Sequence, residues 1–101
     1  MKTISVQEAC TIIDGNKESV FVDVRSVEEF GEGHAKGFVN IPLGEIAQSF
    51  LRVPKIETVY FMCHSGGRSF LATKLAISKG LDAVNVEGGF TAWKGAGLPV
   101  E

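Results

Sequence analysis

The chain reads as an α/β domain, a five-stranded, mainly parallel sheet with helices on both faces. Three observations predict it. Short apolar runs alternate with stretches of helical period along the whole chain, and strands separated by helices need crossovers that make a covered parallel sheet. The run Val20 to Val24 is apolar on both faces except at Asp23, as in strands buried from two sides. The chain has 101 residues, 45% apolar and 22% charged. That fits one domain spanning 1–101, which buries roughly two-thirds of its unfolded surface.

Along the chain, Lys2 to Val6 is a weak strand candidate. Ser5-Val6-Gln7-Glu8 has capping-box spacing. Val6, Ala9, Cys10 and Ile13 then form one apolar helical stripe, ended by Gly15. Cys10 on that stripe reads as a small buried core residue. After the Val20–Val24 strand, Ser26 to Phe30 makes a short helix with Glu28 and Glu29 in its first turn. Phe38 to Ile41 is a short strand closed by Pro42. Leu43, Ile46, Ala47, Phe50 and Leu51 fit a helix that Pro54 stops. Thr58 to Met62 is the strongest strand. Arg68 to Lys79 is a helix with Ala72, Leu75, Ala76 and Lys79 on one side and Gly80 after its end. Ala83 to Val86 is the last strand, and Phe90 and Trp93 mark a final short helix, with Trp93 in the core.

Composition narrows the function. Ten basic against twelve acidic residues give a net charge of −2. No Lys/Arg cluster exists to displace counterions, so nucleic acid is not expected as a partner. The longest apolar run, Val59 to Cys63, has five residues, against the roughly 20 of a membrane span. Met1-Lys2 leads into Gln7 and Glu8 without the apolar stretch of a signal peptide. Two cysteines 53 positions apart and two histidines do not make a zinc site. The expected compartment is the reducing cytosol, with both cysteines as thiols and no metal.

In parallel sheets ligands bind at the carboxyl ends of strands, which directs attention to the segments after Val24 and Met62. Beyond Met62 comes Cys63-His64-Ser65-Gly66-Gly67-Arg68-Ser69, then a helix. A thiol there faces the unpaired N–H groups and positive end of that helix. The helix end favours an anion by about 0.3–1 kcal/mol, up to ~2 when partly buried. Arg68 adds a full positive charge, and both effects favour the thiolate of Cys63. Gly66 and Gly67 allow positive φ, so that successive N–H groups can point inward.

These residues resemble a known family. Cys63-x-x-Gly66-x-Arg68-Ser69 is similar to the active-site loop of rhodanese-type sulfurtransferases. Asp23-Val24-Arg25 resembles the family's D-x-R at the end of its second strand. Glu29, Gly33-His34-Ala35-x-Gly37 and Asn40-Ile41-Pro42 match its E-x-x-x-G-H-I-x-G-A-x-N-I-P pattern, departing mildly at Ala35 and Phe38. Gly88-Gly89-Phe90-x-Ala92-Trp93 and Gly97-Leu98-Pro99-Val100 resemble its closing segment. The resemblance implies a rhodanese-like three-layer fold and persulfide chemistry. Cys63 would take the outer sulfur of a small anionic donor such as thiosulfate. It would pass that sulfur to a thiol or cyanide, the acceptor thiol being small or carried by thioredoxin or another thiol protein. The loop N–H groups from His64 to Arg68 would stabilise the outer sulfur, and no cofactor is required.

Two other readings stand beside it. A persulfide carrier or sensing module with slow turnover would use the same loop. Cysteine-dependent phosphatases and arsenate reductases also ring an anion with a Cys and an Arg, but with C-x5-R spacing. Here four residues separate Cys63 from Arg68, a tighter loop that suits one sulfur. Arg68 either docks the sulfonate end of a donor or pairs with a carboxylate and braces the loop. Asp23 and Arg25 read as structural support, with Glu29 as a partner for Arg25 and Ser69 as further loop support. His64 faces solvent, as a spectator or as a source of charge or a proton acceptor, and His34 is structural.

Overall fold

The computed structural model describes residues 1–15, 19–49 and 57–101. These form β1 (Lys2–Ile4), α1 (Val6–Gly15), β2 (Val20–Asp23), α2 (Val27–Gly31) and β3 (Val39–Asn40). They continue with α3 (Ile46–Ser49), β4 (Thr58–Met62), α4 (Gly67–Ser78), β5 (Asp82–Val86) and α5 (Gly89–Gly95). The strands make one sheet in the order β1-β5-β4-β2-β3, and every pairing among the described strands is parallel. An isolated antiparallel bridge joins Ala35 to Val100. The α/β class and the five strands are therefore as expected.

Side chains alternate across the sheet. Phe21, Tyr60, Met62, Val84 and Val86 point to one face, where Val6 and Ala9 of α1 and Phe90 and Trp93 of α5 complete a core. Val22, Val59, Phe61, Cys63 and Ala83 point to the other, against Ile46 of α3 and Ala72 and Ala76 of α4. Strand parity thus puts Cys63 beneath α4 and Asp23, two residues after Phe21, on the α5 side. At the Ser5 cap, Glu8 N–H donates to Ser5 Oγ at 3.1 Å and Ser5 N–H to Glu8 Oε1 at 3.2 Å.

Three expectations need correction. The helix from Leu43 begins as a 3₁₀ turn over Leu43–Glu45 before α3. Phe50, Leu51 and Pro54 lie outside the described residues. On α4, Lys79 is exposed, while Ser69 and Thr73 join Ala72 and Ala76 in the buried face. Those two polar residues can be buried because Thr73 Oγ1 donates to Ser69 O at 2.7 Å and Ser69 Oγ to Gly66 O at 3.1 Å, so both hydroxyls are satisfied. Cys10 is only partly buried, packed against the first core. Both cysteines are free thiols, and no helix among the described residues is long and apolar enough to cross a membrane.

Candidate active site

Asp23 pairs with Met62 across β2 and β4, so the carboxyl ends of these strands lie side by side. The chain moves to β3 on one side of β2 and to β4 on the other, and such reversals open a crevice at the strand ends. Cys63 sits there, 1% exposed. Gly66 has φ 124°, a backbone region that glycine favours, and its N–H donates to Cys63 Sγ at 3.0 Å. Gly67 does not share the positive φ; it is already the first residue of α4.

Ser69 takes part more directly than the sequence indicates. The Cys63 thiol donates to Ser69 Oγ at 3.5 Å, and Ser69 Oγ donates to Gly66 O at 3.1 Å. Burial pushes the thiol's pKa up, but hydrogen bonding outweighs it. The Ser69 hydroxyl, then the N–H groups of Ser69, Gly66 and Ser65, hold the pKa below its ordinary value. Backbone amides that stabilise charge without needing to move, and a hydroxyl that can turn toward it, favour the thiolate.

Arg68 braces the loop. Its guanidinium forks onto Glu29, Nη1 to Oε1 at 2.6 Å and Nη2 to Oε2 at 3.0 Å. The Arg68 hydrogen bond, then the Ser26 amide, lowers Glu29 to about 2. Glu29 also closes a capping box on α2, with Ser26 N–H donating to Glu29 Oε1 and Glu29 N–H to Ser26 Oγ. The Ser26-x-x-Glu29 spacing is the sequence signal for that cap. The expected Glu29–Arg25 partnership is thus replaced. Arg25 pairs with buried Asp23 at 2.7 Å and donates to Gly33 O at 2.8 Å. Asn40 Nδ2 donates to the carbonyls of Asp23 and Arg25 at 3.0 Å each, holding the strand end.

The N-terminus of α5 clamps the loop from below. Phe90 N–H donates to Cys63 O at 2.7 Å and Thr91 N–H to His64 O at 3.1 Å. Thr91 Oγ1 donates to the same carbonyl at 3.0 Å. Gly89 makes this approach possible. Its φ is +61°, and a Cβ there would stand 2.5 Å from the carbonyl oxygens of both Cys63 and His64. The glycine pair is visible in the sequence, but its contact is made by tertiary packing alone.

A cleft of about 290 Å³ adjoins the loop, with His64 and Phe90 in its wall beside Arg25, Glu29 and Gly33. Arg25 Cζ lies 4.4 Å from the Phe90 ring centroid. His64 is exposed, as expected. His34 has a structural setting: its Nδ1 is 3.0 Å from Phe30 O and its ring stacks on Phe30.

The five-stranded parallel sheet with helices on both faces and a cysteine loop at its carboxyl edge defines an α/β domain of rhodanese type. A family model described as "Rhodanese-like domain" matches residues 5–96, and the chain belongs to that family. It is 35% identical over 99 residues to the Bacillus subtilis protein named "Putative sulfurtransferase YtwF", covering 98% of this chain and 96% of that one. A rhodanese-like domain protein from Staphylococcus aureus superposes with a TM-score of 0.85 at 35% identity, over 92% of this chain and 91% of that one. A Rhodopseudomonas palustris protein of unknown function, described as a possible tyrosine phosphatase, superposes with a TM-score of 0.89 at 29% identity, over 100% of this chain and 85% of that one. Sulfurtransferase-like transfer is the family's activity in general terms.

Proposed function

We propose that the protein moves a sulfane sulfur from thiosulfate or a related persulfide donor to a thiol or cyanide acceptor. The observation that carries this reading is the Cys63 sulfur held by the Gly66 N–H and the Ser69 hydroxyl, with its pKa lowered. The Cys63 thiolate attacks the outer sulfur of thiosulfate, and sulfite leaves with the bonding pair. The product is Cys63–S–S⁻, whose terminal charge the loop donors stabilise. An acceptor then takes that sulfur and returns Cys63 as thiolate. The covalent intermediate carries the sulfur, so the cycle needs neither metal nor organic cofactor. The acceptor is a small thiol, cyanide, or a thiol protein such as a thioredoxin.

The phosphatase reading has less support. An oxyanion ring draws on a free arginine, and here the Arg68 fork is occupied by Glu29. Initial rates of thiocyanate formation, with thiosulfate and cyanide both varied, test the proposal. Parallel double-reciprocal lines and no turnover by Cys63→Ser are expected. Intersecting lines, or an active Cys63→Ser variant, would overturn it.

A further inference from the structure

The cleft beside the loop carries charge that the loop does not use. Five of its lining side chains are ionisable. Arg25 is neutralised by Asp23, and Glu29 by Arg68. His64 lies with Nε2 3.4 Å from Thr91 Oγ1. Glu32 and Lys94 are exposed, and neither has an ion-pair partner among the described residues. Lys94 Nζ instead stands 5.3 Å from the centroid of the Phe90 ring. The cleft therefore offers one cation and one carboxylate without an ion-pair partner beside an aromatic wall, with His64, the residue after Cys63, in its lining.

We propose that this cleft takes a small zwitterionic thiol, an α-amino-acid thiol, as sulfur acceptor, with its carboxylate on Lys94 and its ammonium on Glu32. The inference rests on the persulfide reading above. Among acceptors, a purely anionic thiol would leave Glu32 unpaired, and a neutral thiol would use neither charge. Small-molecule sites run from about 300 Å³ upward, so the cleft suits a compact organic molecule and exceeds the needs of a lone sulfur oxyanion. In the transfer step the acceptor's thiol proton passes to the outer sulfur of Cys63–S–S⁻. The acceptor sulfur bonds to that same atom, the Cys63 S–S bond breaks, and its electron pair returns to Cys63 as thiolate. The product is the acceptor persulfide, R–S–SH.

The test loads the wild type and the Glu32→Gln and Lys94→Gln variants with thiosulfate. Sulfur removal is then timed with four thiols: cysteine, N-acetylcysteine, cysteamine and 2-mercaptoethanol. Each rate is taken relative to 2-mercaptoethanol on the same protein and then compared with the wild type, so intrinsic thiol reactivity cancels. Glu32→Gln should lower the cysteine and cysteamine ratios about three- to fivefold, the scale of an exposed ion pair, and raise the N-acetylcysteine ratio. Lys94→Gln should lower the cysteine and N-acetylcysteine ratios by a similar factor and raise that of cysteamine. Equal ratios across all four thiols in both variants would overturn the inference while leaving the persulfide reading intact. Absence of any mass gain on wild-type Cys63 after loading would defeat the persulfide reading, and this inference with it.

Discussion

Removing the Ser69 hydroxyl isolates the group that most lowers the Cys63 pKa. In Ser69→Ala the sulfur keeps the Gly66 N–H at 3.0 Å and keeps its burial, which raises the pKa. A hydrogen bond to a charged group contributes about 1.5–3 kcal/mol, or about one to two pKa units at ~1.36 kcal/mol each. The lower end applies here. The hydroxyl donates to Gly66 O while Cys63 is a thiol, so it must give up that bond to turn toward the thiolate. Ser69→Ala should therefore raise the Cys63 pKa by about one unit. The assay is the pH dependence of alkylation by iodoacetamide, measured on Cys10→Ser and on Cys10→Ser with Ser69→Ala. An unchanged alkylation midpoint in a folded double variant would refute the hydroxyl's role and leave the backbone amides as the source of the shift.

The same geometry sets three further outcomes. Gly89→Ala should destabilise the fold by at least about 2 kcal/mol, from left-handed strain and backbone overlap with the loop, read as a lower urea midpoint with loss of sulfur transfer; a wild-type midpoint would contradict the clamp. Glu29, lowered to about 2 from 4.5, contributes stability that is fully present above pH 4.5 and fades as pH falls through about 2. Both partners are a third or more exposed, so Glu29→Gln, which can still cap α2, should cost about 1 kcal/mol or less at neutral pH, a gap in urea unfolding that closes with acid. Burial and then Asp14 raise the Cys10 pKa, so one equivalent of iodoacetamide at neutral pH should label Cys63, and Cys10→Ser should retain transfer; labelling chiefly at Cys10 would contradict the assignment of the reactive thiol.

How much was legible in the sequence depends on the range of the interaction. Val20–Asp23 and Thr58–Met62 are readable because strand parity and two-sided burial leave a mark at every position. The cysteine loop is readable because Cys63, Gly66 and the start of α4 are neighbours in the chain. Partner choice is not local. Asp23, Arg25, Glu29 and Arg68 all stand out, yet only packing decides that Arg25 folds back onto Asp23 two residues away while Glu29 reaches Arg68 across 39 positions. Ser69 reads as support because its hydroxyl direction depends on the turn of α4 over the loop. Glu32 and Lys94 carry no signal in the chain, since exposed charges on short helices and in the turns that end them look alike until a shared cleft singles them out.

The central claim is that Cys63 carries a transferable sulfur. Its most direct measurement is the intact mass of the protein after incubation with thiosulfate and removal of the excess, with the modified peptide then sequenced. The account predicts a gain of one sulfur atom, located at Cys63, absent from Cys63→Ser and discharged by an added thiol. An unmodified Cys63 in a folded protein that hydrolyses an aryl phosphate would contradict it.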